Sequence, residues 1–277
     1  MSKWLVMVLG WALAAGAWAG SPARVVTLGG SVTEIVYGLG QGGRLVGDDL
    51  SSLYPDAATR LPRIGYYRAV PVEGVLALSP DLVLASEQAG PPDALTRLAG
   101  VGVKVVKVSD APSIESLKTR VREVAEALGV AAAGEQLVAQ IERDLADVRS
   151  MPSPQARALI VFSRNGTPQA AGAGTAANEV LTLAGLTNVM AGQQGYKPLS
   201  AEAVGALAPD LIVVTQSTLD AAGGPEALLR QPGLAATPAA AKGRVIVMDD
   251  LLILGMGPRL PIALRQLKTD AAHALAR

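Results

Sequence analysis

Tyr67-Arg68-Ala69-Val70-Pro71-Val72-Glu73 runs into Gly74-Val75-Leu76-Ala77-Leu78-Ser79-Pro80-Asp81-Leu82-Val83-Leu84, and Tyr196-Lys197-Pro198-Leu199-Ser200-Ala201-Glu202 runs into Ala203-Val204-Gly205-Ala206-Leu207-Ala208-Pro209-Asp210-Leu211-Ile212-Val213. The two stretches align without a gap at one offset, 129 residues, the distance from Tyr67 to Tyr196. Tyr matches Tyr, Arg matches Lys, Glu matches Glu and Pro-Asp matches Pro-Asp. Upstream, Glu34-Ile35-Val36 is echoed by Glu179-Val180-Leu181. Self-similarity on this scale predicts two lobes of similar fold.

The pattern around the repeat is that of an α/β protein. Arg24–Leu28, Asp81–Ala85 and Val103–Val108 are short β-branched runs. They alternate with helical stretches and are punctuated by Gly and Pro. Continuous apolar runs of this kind suit parallel strands buried on both faces. Ser31–Leu39 reads as a helix opened by a Ser cap, with Glu34 at the third helical position. Between the repeats, Ser113–Leu128 and then a second helix to about Arg149 carry apolar residues at helical spacing, until Pro152 and Pro154 end the pattern. The expected architecture is two similar Rossmann-like lobes, 20–112 and 153–277. A helical segment, 113–152, joins them through one long rigid helix, and a ligand cleft lies between them. Such a connection allows only small hinge motions.

Residues 1–19 read as a secretory signal: Lys3 is the positive n-region, Trp4–Ala15 the apolar core, and Ala17-Trp18-Ala19 the small-x-small cleavage site. The apolar run is shorter than the roughly 18–20 residues of a membrane span. The chain contains no Cys, which excludes the lipobox of a lipoprotein signal, disulfides, thiolate metal sites and a Cys nucleophile. The expectation is a soluble monomer in the periplasm. With 24 basic and 24 acidic residues, no positive field invites nucleic acid. All three Trp leave with the signal; Tyr37, Tyr54, Tyr66, Tyr67, Tyr196, Phe162 and the near-terminal His273 remain.

Together these features resemble the ABC-importer binding proteins with a helical backbone between lobes, the class that carries cobalamin, iron-siderophores and haem. Gly65-Tyr66-Tyr67-Arg68 with Glu73-Gly74-Val75-Leu76, Ala171–Asn178, and Leu252-Ile253-Leu254-Gly255-Met256-Gly257-Pro258-Arg259-Leu260-Pro261 resemble its haem-binding branch. Two positions depart from that branch: Tyr67, where an apolar residue is expected after the ligand tyrosine, and Met256, where an aromatic is usual. The resemblance implies capture of one ferric haem and its delivery to a membrane permease dimer. It places the axial iron ligand on Tyr66, with Tyr67 as the runner-up.

The chemistry of these residues is compatible with that role. Ferric iron is hard and favours an anionic oxygen donor, and Tyr is a haem ligand. A phenol titrates near pH 10, so ligation must displace its proton, and a nearby cation favours this. Arg68 shares a face with Tyr66 if the segment is extended. It then either stabilises the phenolate or pairs with a haem propionate, the role the resemblance favours. From the second lobe, Arg259 and Arg244 are candidates for a propionate or the distal iron face. Tyr196, Met256 and Gly174 are expected to line the cleft, and Tyr196 is the residue that would hold a second haem. The resemblance also implies that Glu73 and Glu202, equivalent in the two repeats, are tip residues that dock on the permease.

Other readings are weaker. Gly172–Ala177 fits the loose dinucleotide pattern G-x-G-x-x-A, but no strand is expected directly before it and no acidic residue stands at the ribose position. Asp48-Asp49 and Asp249-Asp250 are paired carboxylates, yet without Cys or a central His an enzyme is poorly supplied. The same fold binding a siderophore or cobalamin is the principal alternative. A siderophore site is expected to be richer in aromatics than this chain.

Overall fold

The computed structural model describes residues 22–164 and 167–277; the expected signal peptide lies outside them. In chain order the first lobe comprises β1 (Val25–Leu28), α1 (Gly30–Gly38), β2 (Leu45–Gly47), α2 (Val72–Ala77), β3 (Leu82–Ser86), α3 (Pro92–Gly100) and β4 (Lys104–Val108). Its strands form an all-parallel sheet in the order β2-β1-β3-β4. Every residue of β1 and β3 is buried, as their unbroken apolar runs require of strands covered on both faces.

Two helices follow, α4 (Ile114–Ala127) and α5 (Ala131–Arg149). Ser113 caps α4, its hydroxyl accepting the Ser116 N–H at 3.1 Å. Only Leu128, Gly129 and Val130 separate this pair, so Gly134 lies inside α5. There a Cβ would stand 2.5 Å from the Ala125 Cβ, and glycine lets the helices approach. The 19 residues of α5 make a strut roughly 28 Å long.

The second lobe contains β5 (Arg157–Arg164), β6 (Thr167–Ala171), α6 (Ala176–Ala184), β7 (Thr187–Asn188), β8 (Tyr196–Pro198), α7 (Ala201–Leu207), β9 (Leu211–Thr215), α8 (Gln216–Ala222), α9 (Pro225–Leu229), α10 (Pro238–Ala241), β10 (Val245–Met248), α11 (Asp250–Leu254) and α12 (Leu260–Leu275). Its sheet runs β10-β9-β5-β6-β8, with β7 also on β5. β10, β9, β5 and β7 are parallel, whereas β6 is antiparallel to both β5 and β8. The lobes are therefore related but not equivalent, because the second adds an antiparallel edge.

The repeat is visible in detail. β3 and β9 stand at the sequence offset of the repeat, and each follows a short helix that starts at Val72 or Ala201. Ser79 and Ala208, also equivalent, both adopt positive φ, 46° and 41°. Asp81 Oδ2 accepts the Arg24 N–H, and Arg24 Nη2 donates to the Leu78 carbonyl. Asp210 Oδ2 accepts the Arg157 N–H, and Arg157 Nη2 donates to the Leu207 carbonyl. In both lobes the Pro-Asp turn is thus stapled to the first strand by the same two bonds.

Each lobe has its own apolar cluster on its outer side. A third cluster is continuous through both lobes and the helical segment; it joins Ile35 and Val36, Leu117 to Leu145, and Leu252 to Leu267. The strut is consequently packed into shared core rather than tethering two free bodies. Two local expectations change. Ser31 does not cap α1: Gly29 is the N-cap, without a side-chain cap bond, and Ser31 is buried inside the first turn. A strand, β6, does directly precede Gly172–Ala177, but it is the antiparallel return of a hairpin, not the first strand of a parallel β-α-β unit.

Candidate functional site

A cavity of about 650 Å³ opens between the lobes, within the usual size of small-molecule sites. Its first-lobe wall includes Gly29–Ser31, Leu50, Leu53 and Tyr66–Arg68; its second-lobe wall includes Phe162, Gly174–Ala176, Tyr196, Leu251 and Leu254–Met256. Leu50 and Leu53 are 54% and 43% exposed. Against Leu251 and Leu254 of the other lobe they give the cleft two apolar faces suited to a flat, greasy ligand.

The Tyr66 loop is held from behind by Asp49. This fully buried carboxylate accepts the backbone N–H groups of Gly29 (2.9 Å), Ser51 (3.0 Å) and Tyr67 (3.2 Å), and the hydroxyls of Ser51 and Ser52. One side chain thus ties together the start of α1, the Leu50 loop and the tyrosine pair. Gly65 turns the chain with φ 99°, a conformation glycine adopts freely. Tyr67–Ala69 then forms a 3₁₀ turn, pinned where the Gly90 N–H donates to the Tyr67 carbonyl and the Val70 N–H to the Gly90 carbonyl. The turn, not an extended segment, sets the side-chain directions.

Within that turn the two tyrosines differ. Tyr66 is 36% exposed and faces the cavity. Tyr67 packs edge-on against it, with ring centroids 4.9 Å apart, and is itself half-buried. Burial drives the Tyr67 phenol well above the ordinary tyrosine range, although the Arg68 charge opposes the shift. Both rings line the cavity, and Tyr66 is the more exposed of the two. The Arg68 guanidinium stands 5.0 Å from the Tyr67 ring centroid, interacts with both phenols and donates to Gln88 Oε1.

The second-lobe candidates divide. Tyr196 lines the cleft, edge-on to Phe162 at 5.0 Å. Gly174 precedes Thr175, which caps α6 through the Asn178 N–H. Met256 is 1% exposed with φ 45°, a strained left-handed conformation for a non-glycine residue at the cleft wall. Arg244 is elsewhere: its Nη2 donates to the Leu275 carbonyl at 3.0 Å, anchoring the end of α12, and it does not line the cavity. Arg259 does not line the cavity either. It crosses between lobes to Glu34 of α1, with Nε 3.1 Å from Oε1 and Nη2 3.2 Å from Oε2, while its backbone N–H donates to Oε1 at 3.0 Å. Its guanidinium lies 3.6 Å from the centroid of the first-lobe Tyr54 ring and 3.6 Å from Asp249 Oδ1. Both arginines were sequence candidates for the ligand; neither lines the cavity, Arg259 pairing with Glu34 and Arg244 bonding the end of α12. Glu73 and Glu202 are exposed second residues of α2 and α7.

The paired carboxylates have structural tasks. Asp249 caps α11 through the Leu252 N–H, Asp250 accepts from Ser217, and Asp48 is fully buried beside Arg63 at 3.4 Å. Among the described residues no group of three or more His, Asp or Glu is arranged to hold a metal ion, and no helix is long and apolar enough to cross a membrane.

Comparisons with known proteins agree with this geometry. The chain belongs to the periplasmic binding protein family, whose profile matches residues 25–252; it is a substrate-binding protein rather than an enzyme, of extracytoplasmic location. The structure of the periplasmic heme-binding protein RhuT from Roseiflexus sp. RS-1, in apo form, superimposes with TM-score 0.86 at 40% identity, covering 92% of this chain and 99% of that one. The periplasmic heme-binding protein BhuT, in complex with two hemes, superimposes with TM-score 0.86 at 41% identity, covering 92% and 100%. An uncharacterized ABC transporter substrate-binding lipoprotein of Bacillus subtilis, YvrC, is 31% identical over 246 residues, 86% of this chain and 76% of that one.

Proposed function

We propose that this protein captures one ferric haem between its lobes and delivers it to an ABC permease dimer. The supporting observation is the asymmetry of the tyrosine pair. Tyr66 is exposed to the inter-lobe cleft, between Leu50 and Leu53 of one lobe and Leu251 and Leu254 of the other, while Tyr67 is half-buried behind it and the Arg68 guanidinium stands beside both rings. RhuT and BhuT, the heme-binding structures with matching folds, support the same ligand. A siderophore would call for more aromatic and cationic side chains than this cleft offers, and cobalamin needs no axial phenolate. Residues 1–19 serve as a cleaved signal peptide and the mature protein acts as a soluble monomer, with lobes 20–112 and 153–277 flanking the segment 113–152. Glu73 and Glu202, one at the start of an exposed helix in each lobe, are the permease-docking pair.

Titration of the purified apoprotein with hemin tests the proposal. A tyrosinate ferric-haem spectrum is expected, with an end point at one equivalent and loss of the spectrum in Tyr66→Phe but not in Tyr67→Phe. An unchanged spectrum in both variants overturns the ligand assignment. An end point at two equivalents that falls to one in Tyr196→Phe overturns the stoichiometry.

A further inference from the structure

Arg259 and Arg244 do not line the cavity, and Arg68 stands beside the two phenols. The floor of the cleft offers another set of donors. Ser31 stands in the first turn of α1 and lines the cavity. The N–H groups of Gly29 and Gly30 are taken by Asp49 and Ser51 Oγ, whereas the Ser31 N–H has no acceptor among the described residues. Directly behind Ser31 lies Arg120 of α4, at 0% exposure. Its Nη1 donates to Ser31 Oγ and forms an ion pair with Asp110 Oδ1 at 2.9 Å, while its Nε and Nη2 have no hydrogen-bond partner. A fully buried guanidinium with two unused donors is costly unless something else repays the desolvation.

The polarity of this arrangement is specific. Because Arg120 donates to Ser31 Oγ, the hydroxyl keeps its own hydrogen for a further acceptor. The unbonded N–H belongs to the same residue, in the first turn of α1 at the positive end of the helix. Asp110 also lines the cleft, but its two oxygens are occupied by Arg120 and by the Ser86 hydroxyl. Glu87, Glu123 and Glu34 surround Arg120 at longer range. The first two are engaged by the backbone N–H groups of Asp110 and Ser109, and Glu34 by Arg259.

We propose that the first turn of α1, presenting the Ser31 N–H and hydroxyl with Arg120 behind them, is a carboxylate subsite that takes a propionate of the bound porphyrin. This rests on the haem assignment above and adds the group that recognises the acidic edge of the ligand. Ser31 contacts the ligand, and Arg120 acts through it as a positioning residue.

The test compares hemin with hemin dimethyl ester, which keeps the iron and the ring but removes both carboxylates. Wild-type protein is expected to bind hemin about tenfold or more tightly than the ester, the scale of one charge-assisted hydrogen bond. Ser31→Ala should weaken hemin by about tenfold, leave the ester within about twofold and preserve the tyrosinate spectrum, with some lowering of the melting temperature because Arg120 loses an acceptor. Arg120→Lys, which retains the charge but not the fork, should reduce the same discrimination if it folds; Ser31→Ala carries the test if it does not. Equal binding of hemin and ester by the wild type overturns the subsite while leaving the haem assignment intact. The same follows if Ser31→Ala weakens both ligands alike or neither, or if discrimination survives Ser31→Ala and vanishes in Arg68→Gln. Failure of the wild type to bind either ligand overturns the haem assignment itself.

Discussion

Replacing Arg259 with Met should make the protein's stability depend more steeply on pH. Glu34 is 4% exposed and belongs to the first lobe, while Arg259 belongs to the second. Burial raises the Glu34 carboxyl above its ordinary range, and the Arg259 charge and hydrogen bonds pull it back. In Arg259→Met the two side-chain contacts of 3.1 Å and 3.2 Å disappear and only the 3.0 Å backbone N–H remains. Stripping one partner from a buried pair costs about 3–5 kcal/mol, and loss of stacking on Tyr54 adds about 1 kcal/mol. The carboxyl limits this loss by taking up a proton, and each pH unit changes that option by about 1.4 kcal/mol. The sign follows from linkage. The folded variant holds the Glu34 proton more tightly than the unfolded chain does, so stability falls as pH rises above the ordinary carboxylate range. Urea unfolding should therefore show a loss of about 4–5 kcal/mol at pH 8 that shrinks to about 1–2 kcal/mol at pH 5. Small-angle scattering at pH 8 should show the lobes further apart. Glu34→Gln, which leaves Arg259 with Asp249, Tyr54 and some solvent, should cost less and show no such slope. A loss in Arg259→Met that is equal at pH 5 and pH 8, or below about 1 kcal/mol at both, would refute the view that a buried ion pair fastens the lobes.

Two further outcomes follow from the same reasoning. Burial pushes the Asp48 carboxyl up to about 7, with Arg63 opposing and Asp49 adding to the shift; the folded protein therefore retains a proton that the unfolded chain releases near pH 4, and stability declines from pH 4 to 7. Asp48→Asn should match the wild type near pH 4, and its advantage should grow by about 2–3 kcal/mol between pH 5 and pH 8 in urea titrations, whereas parallel pH profiles would exclude this. Glu73→Ala and Glu202→Ala, at exposed positions away from the cavity, should leave the hemin titration unchanged while reducing haem uptake by permease-containing vesicles; an altered hemin affinity would place these residues in the wrong role.

How much of this was legible beforehand differs from residue to residue. The offset between Tyr67 and Tyr196 predicted the equivalence of β3 and β9 and of the turns at Ser79 and Ala208, because strand and turn geometry repeat wherever Pro-Asp and apolar runs repeat. That the tyrosine pair belongs to the cleft was legible from its neighbours Gly65 and Arg68. Which ring is the more exposed depended on the 3₁₀ turn, and that turn is held by Asp49 and Gly90. Asp49 itself looked like one half of an acidic pair available for chemistry. Only its five donors, drawn from α1 and two loops, reveal it as the hub of the site.

What the sequence by itself determined was periodic and local: the alternation of strands and helices, the doubled lobe, the helical strut and the Tyr66 motif. Each is written in neighbouring residues, since backbone propensity and burial patterns act over a few positions. Tertiary structure alone decided how the charges are used. Ser31 read as a helix cap, yet its hydroxyl accepts from Arg120 of α4. Arg259 and Arg244 were named for the ligand, and the fold sets them against Glu34 and the end of α12. A charge is satisfied by whichever group the fold brings within about 3 Å, and in Arg259–Glu34 that partner lies 225 residues away along the chain.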